Sequence, residues 1–164
     1  MGAFISNELK RMQIKQIKKP DDFKLYYSIY HPITLMTSRQ CLFHQVTGCE
    51  KDKIETNCIE QCARSASITN VKDKTFLIKK TKGNYHTIYN ATNFLNTEII
   101  TDLPNLFSSF FIDLRDITTK TSIGADKAET VRLFENCVKG DAEAIAELQD
   151  IIIPSTNTQY LKGI

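Results

Sequence analysis

Cys41-Leu42-Phe43-His44-Gln45-Val46-Thr47-Gly48-Cys49, followed by Cys58-Ile59-Glu60-Gln61-Cys62, is the stretch on which the reading of this chain turns. Four of its five cysteines fall within these 22 residues, with gaps of seven, eight and three. Asn57 with Glu60 three residues on resembles a capping box, which predicts a short helix beginning at Cys58. Cys58 and Cys62 would then share one helix face, and a turn at Gly48 lets the other two approach. Four thiolates are the full ligand set for either a tetrahedral zinc or a cubane iron–sulfur cluster. Structural zinc sites favour two close ligand pairs, and only Cys58–Cys62 is close here. The wide, uneven spacing is therefore at least as compatible with a [4Fe-4S] cluster, with zinc as the alternative. Free cysteines are common in cores but rarely so clustered. His44 is a further candidate ligand or an ordinary loop histidine. Cys137 falls beside the apolar stripe of a later helix and reads as core.

The rest of the chain suits one domain of ordinary size, residues 1–164. A hydrophobic share of 41% against 24% charged argues for a globular chain and against disorder. Its longest apolar runs, such as Ile151-Ile152-Ile153, are far too short to span a bilayer. The start, Met1-Gly2-Ala3-Phe4-Ile5, has neither the basic residues nor the long apolar run of a secretory signal, so a cytoplasmic location is expected. In that reducing compartment the cysteines stay thiols. The net charge of +2 identifies no partner. Lys10, Arg11, Lys15, Lys18 and Lys19 form one basic cluster, and Lys72, Lys74, Lys79, Lys80 and Lys82 another. Such clusters can hold phosphates but are more often a solvated face.

Periodicity predicts a mixed order of elements. Leu9, Met12, Ile14 and Ile17 mark a helix over residues 7–19 that Pro20 ends. Phe23–Tyr30 reads as a strand closed by His31-Pro32, and Ile33–Met36 as a short apolar run. Residues 37–57 are irregular. Phe76–Lys80 and Tyr85–Tyr89 predict a hairpin around Lys82-Gly83-Asn84. Ser109–Leu114 reads as a buried strand. Asp126 with Glu129 opens a helix bearing Val131, Phe134 and Val138, which Gly140 ends. Asp141 caps a last helix carrying Ile145, Leu148 and Ile152, stopped by Pro154.

Leu35-Met36-Thr37-Ser38-Arg39-Gln40-Cys41, together with the three later cysteines, resembles the collagenase-like peptidase family U-32. Weaker likenesses run through Ile5–Leu9, Asn90–Asn96, Phe111-Ile112-Asp113-Leu114-Arg115 and the ending Tyr160–Ile164. The resemblance implies an α/β fold: the C-terminal portion of a (β/α)-barrel with a cysteine-rich metal-binding insertion and a β-hairpin. Residues 1–36 would be the last barrel elements, 37–70 the metal segment, and 71–164 the hairpin, strand and terminal helices. It also implies a partner, either the other barrel half or a separate subunit. Cys41, Cys49, Cys58 and Cys62 match the family's [4Fe-4S] ligands one for one. Better-understood relatives imply cluster-dependent hydroxylation of RNA bases or of a small precursor; the family name implies a peptidase, a hydrolase. No zinc-peptidase motif and no glycine-flanked serine elbow stands in these residues, so a peptidase nucleophile has no candidate here. A metal-stapled binding domain without catalysis is the third expectation. Arg39, beside the first cysteine, is a candidate partner for a substrate phosphate or carboxylate.

Overall fold

A computed structural model describes residues 1–49, Cys58, Cys62, 65–81 and 85–163. The chain divides into two compact units. The first comprises Met1–His31, Thr92–Asp116 and Lys120–Ile164; the second comprises Pro32–Ala91 and Ile117–Thr119.

In the first unit, β1 (Gly2–Phe4) and β6 (Ser109–Ile112) pair in parallel with the opening of β2 (Lys24–Ser38), β9 (Ser155–Thr156) pairs in parallel with the end of β5 (Tyr85–Leu95), and β7 (Ser122–Ile123) pairs antiparallel with β8 (Ile152–Ile153) as a separate ladder. Gly2 is required at its place in β1, because a Cβ there would lie 2.7 Å from the Lys24 carbonyl. On β2 the alternate residues Leu25, Tyr27 and Ile29 point inward, and Tyr27 packs edge-on against Phe94. Of the helix expected over residues 7–19, only α1 (Arg11–Lys15) forms, anchored by the fully buried Ile14. Arg11 binds one oxygen of Asp102 at 2.5 Å, and the Tyr160 hydroxyl donates to the other at 2.7 Å. This ties α1 to α3 (Glu98–Asp102) and to α6 (Thr158–Lys162).

The two long helices form where the caps place them. Asp126 accepts the Glu129 N–H at 2.9 Å and starts α4 (Lys127–Val138). Asp141 accepts the N–H groups of Glu143 and Ala144 and starts α5 (Ala142–Ile151). Gly140, at φ +90°, turns the chain between them. The buried face of α4 is Thr130, Leu133, Phe134 and Cys137; of the expected stripe, Val131 and Val138 are exposed. Replacing Asp126 by alanine should cost about 1 kcal/mol, seen as a lower urea midpoint with an unchanged slope. An unmoved midpoint would show that the cap adds nothing to the folded state.

In the second unit, β3 (Ala66–Thr69), β4 (Thr75–Thr81) and the start of β5 pair antiparallel. The expected hairpin is β4–β5, and its turn residues 82–84 lie outside the described residues. At the β3–β4 turn the Asn70 side chain accepts the N–H groups of Lys72 and Lys74. Asp73 there takes φ 57°, a left-handed conformation that aspartate tolerates.

The barrel expectation is overturned. Seven of the described strands form an open sheet with the path β1-β2-β5-β4-β3, β6 joining β2 and β9 joining β5, and no strand–helix repeat appears among the described residues. Connection length supplies the reason. A parallel neighbour needs a crossover of about a dozen residues or more. The links from β3 to β4 and from β4 to β5 are only five and three residues long, so these strands must run antiparallel. No strand separates α4 from α5; the two helices pack on each other. Among the described residues no helix is long and apolar enough to cross a membrane.

Candidate metal centre

The irregular segment that opens the cysteine region contains a helix that periodicity did not predict, α2 (Leu42–Thr47). Cys41 is its N-cap residue, in an extended conformation. Gly48 closes it at φ 66°, with open space where a Cβ would stand, so glycine is needed for its backbone and not for room. Cys49 follows at once, and the His44 ring donates from Nδ1 to its carbonyl oxygen at 2.5 Å. The imidazole thus closes the loop that carries the second cysteine.

Beneath α2 lies one face of the β3–β4–β5 sheet. Ile78 and Ile88, register partners on β4 and β5, form a buried cluster with Leu42 and Phe43. Cys41, Cys62, Ala66, Ile68 and Phe76 pack against this cluster. The first and last cysteines of the segment therefore meet one apolar surface. Lys80 is two residues beyond Ile78 and shares its face, and its ammonium donates to the Cys58 carbonyl. Cys58 has a helical backbone; the residues between it and Cys62, and with them the expected shared helix face, lie outside the described residues.

Cys41, Cys49, Cys58 and Cys62 are all half-buried free thiols. Among the described residues, no three or more histidine, cysteine, aspartate or glutamate side chains stand together as a ligand set. The donor chemistry nonetheless fits a metal centre. Four thiols come from one segment and two of them rest on one apolar cluster, a donor set of the type that takes zinc or an iron–sulfur cluster. Cys137 is elsewhere, fully buried in the first unit. Burial pushes its thiol up to about 11, with the Asp141 charge adding to the effect, so it stays protonated in the core.

Two groups here had no clear signal in the sequence. His86, on β5, is 1% exposed and meets Phe43 edge-to-face at 4.8 Å. Burial lowers its pKa, and the nearby Lys80 charge lowers it further, so the ring is neutral near pH 7. Its only trace is alternation, since His86 and Ile88 are two apart on a strand. The second group lies in the first unit. The register of β2 against β6 slips between Ser28, opposite Phe111, and Tyr30, opposite Ile112. Residues three apart on a regular strand face opposite ways, and this bulge restores them to one side. Ser28 Oγ consequently lies 2.9 Å from His31 Nδ1. Burial against Phe94 pulls His31 down to about 4, a fall that the Asp113 charge partly opposes. Asp113 is held ionised against its own burial by Arg115, whose Nε and guanidinium nitrogen donate to it at 2.9 and 2.6 Å.

Arg39 is engaged within the protein. Its guanidinium donates to the Tyr85 hydroxyl at 2.7 and 3.0 Å. Of the second lysine cluster, Lys72 and Lys74 are exposed at the β3–β4 turn, Lys79 and Lys80 are half-buried, and Lys82 lies outside the described residues. Comparison with protein-family models, curated proteins and solved structures finds no match to the chain.

Proposed function

We propose that this chain is a U-32-like iron–sulfur protein. Cys41, Cys49, Cys58 and Cys62 hold a [4Fe-4S] cluster, and the protein serves a cluster-dependent hydroxylation of RNA or of a small precursor, with a partner subunit supplying further substrate contacts. The observation that carries this reading is the placement of Cys41 and Cys62 on the Leu42–Phe43–Ile78–Ile88 cluster, both as free thiols. When bound, such a cluster supplies one-electron redox chemistry that no amino-acid side chain here provides. The chain's own contribution is positional. Lys80 pins the Cys58 backbone, His44 pins that of Cys49, and the apolar sheet face excludes water. The exposed Lys72 and Lys74 suit contact with an RNA phosphate backbone.

The deciding experiment is purification without oxygen, followed by the visible spectrum and by iron, sulfide and zinc analysis of one sample. A brown protein with iron and sulfide in equal amounts supports the cluster, and hydroxylation of RNA is then the assay. A colourless protein with one zinc replaces this reading with a metal-stapled binding domain.

The Ser28–His31 contact favours a second reading, the hydrolase of the family name. A neutral imidazole 2.9 Å from a serine hydroxyl can accept its proton as the oxygen attacks a carbonyl carbon. Peptide hydrolysis that survives iron removal and disappears in Ser28→Ala would establish it.

A further inference from the structure

His86 is the one fully buried imidazole on the sheet face that carries the cysteine layer, among the described residues. Its Nδ1 is buried and has no hydrogen-bond partner. Buried polar atoms are nearly always paired, so an orphan of this kind asks what completes it. Orientation narrows the answer. His86 and Ile88 are alternate residues of β5 and point the same way. Ile88 lies in the cluster on which Cys41 and Cys62 rest, and the His86 ring itself touches Phe43 of that cluster. Lys80, the register partner of His86, reaches the Cys58 carbonyl from the same face. His86 therefore shares the sheet face on whose cluster Cys41 and Cys62 pack.

We infer that His86 donates a hydrogen bond from Nδ1–H to a sulfur of the metal centre, acting as a positioning residue that sets its reduction potential. The inference rests on the cluster reading above and deepens it. A donor at a cluster sulfur stabilises added negative charge, so it favours the reduced form and raises the potential. A neutral imidazole carries one N–H, and the bond would fix that proton on Nδ1.

The test uses the full chain, purified without oxygen, as wild type, His86→Leu and His86→Gln. Iron, sulfide and the reduction midpoint are measured on each. His86→Leu should keep its iron and sulfide while the reduction equilibrium falls about tenfold, a midpoint more negative by ~59 mV for one electron. His86→Gln, which can still donate, should recover part of that shift. Pulsed electron resonance on reduced wild type labelled with nitrogen-15 histidine should show a coupled histidine nitrogen, and it reports even if a variant fails to fold. A loaded His86→Leu with an unmoved midpoint, or reduced wild type without histidine coupling, overturns the hydrogen bond and leaves the cluster standing. Wild type without iron and sulfide overturns both.

Discussion

Cys62→Ala, and equally Cys41→Ala, Cys49→Ala or Cys58→Ala, should leave the anaerobically purified chain without its brown colour and without stoichiometric iron and sulfide. A cubane cluster takes one thiolate per iron corner, and the segment supplies four thiols with none in reserve. The loss should also be structural, since binding energy at a metal site is folding energy for the segment that wraps it. Cys137→Ala is the matched control. That thiol is buried in the first unit, so its loss should lower stability while iron content stays at the wild-type level. Full iron in Cys62→Ala would remove Cys62 from the ligand set, and the same result at all four positions would end the metal reading.

Acid should unfold the chain through His31. Its imidazole is pulled from the ordinary 6.5 to about 4 in the fold, so the unfolded chain takes up the proton first. The contribution to stability is therefore fully present above about pH 6.5 and lost as pH falls toward 4. Its size is about 3 kcal/mol across that window, a large part of a typical domain's stability. Asp113 moves in the same direction at lower pH. Its carboxylate is held ionised in the fold, and its stabilisation is lost once it protonates. Urea midpoints at about pH 7, 5.5 and 4 for wild type and His31→Gln separate the two groups. The variant should show a markedly flatter profile over the upper part of the range. Parallel profiles would mean that the cost of charging His31 is not what weakens the fold in acid.

Both results rest on features that were unequally visible beforehand. The cysteine positions stand in the sequence, as do the aspartate caps of α4 and α5, because a capping residue acts within three positions of itself. The β4–β5 hairpin is legible for the same local reason. Helix α2 is not: six residues complete under two turns, too few for a period to emerge. Nor is the continuation of β2 through Pro32, where the His31-Pro32 pair reads as a stop. Proline is tolerated there only where the strand asks for no N–H. The Ser28–His31 pair was hidden because a bulge inverts the side-chain alternation from which faces are read. The barrel expectation came from resemblance in scattered segments, whereas strand direction is decided by the lengths of the links between them.

Gly48 carries a consequence for how the cysteine spacing can vary. The chain leaves α2 through a single left-handed residue, and Cys49 is captured at once by the His44 ring. One residue added within the helix would swing Cys49 about 100° around its axis. The interval from Cys41 to Cys49 thus behaves as a phase rather than a length. Insertions of a whole turn would preserve the direction in which the second thiol points, while shorter ones would turn it elsewhere.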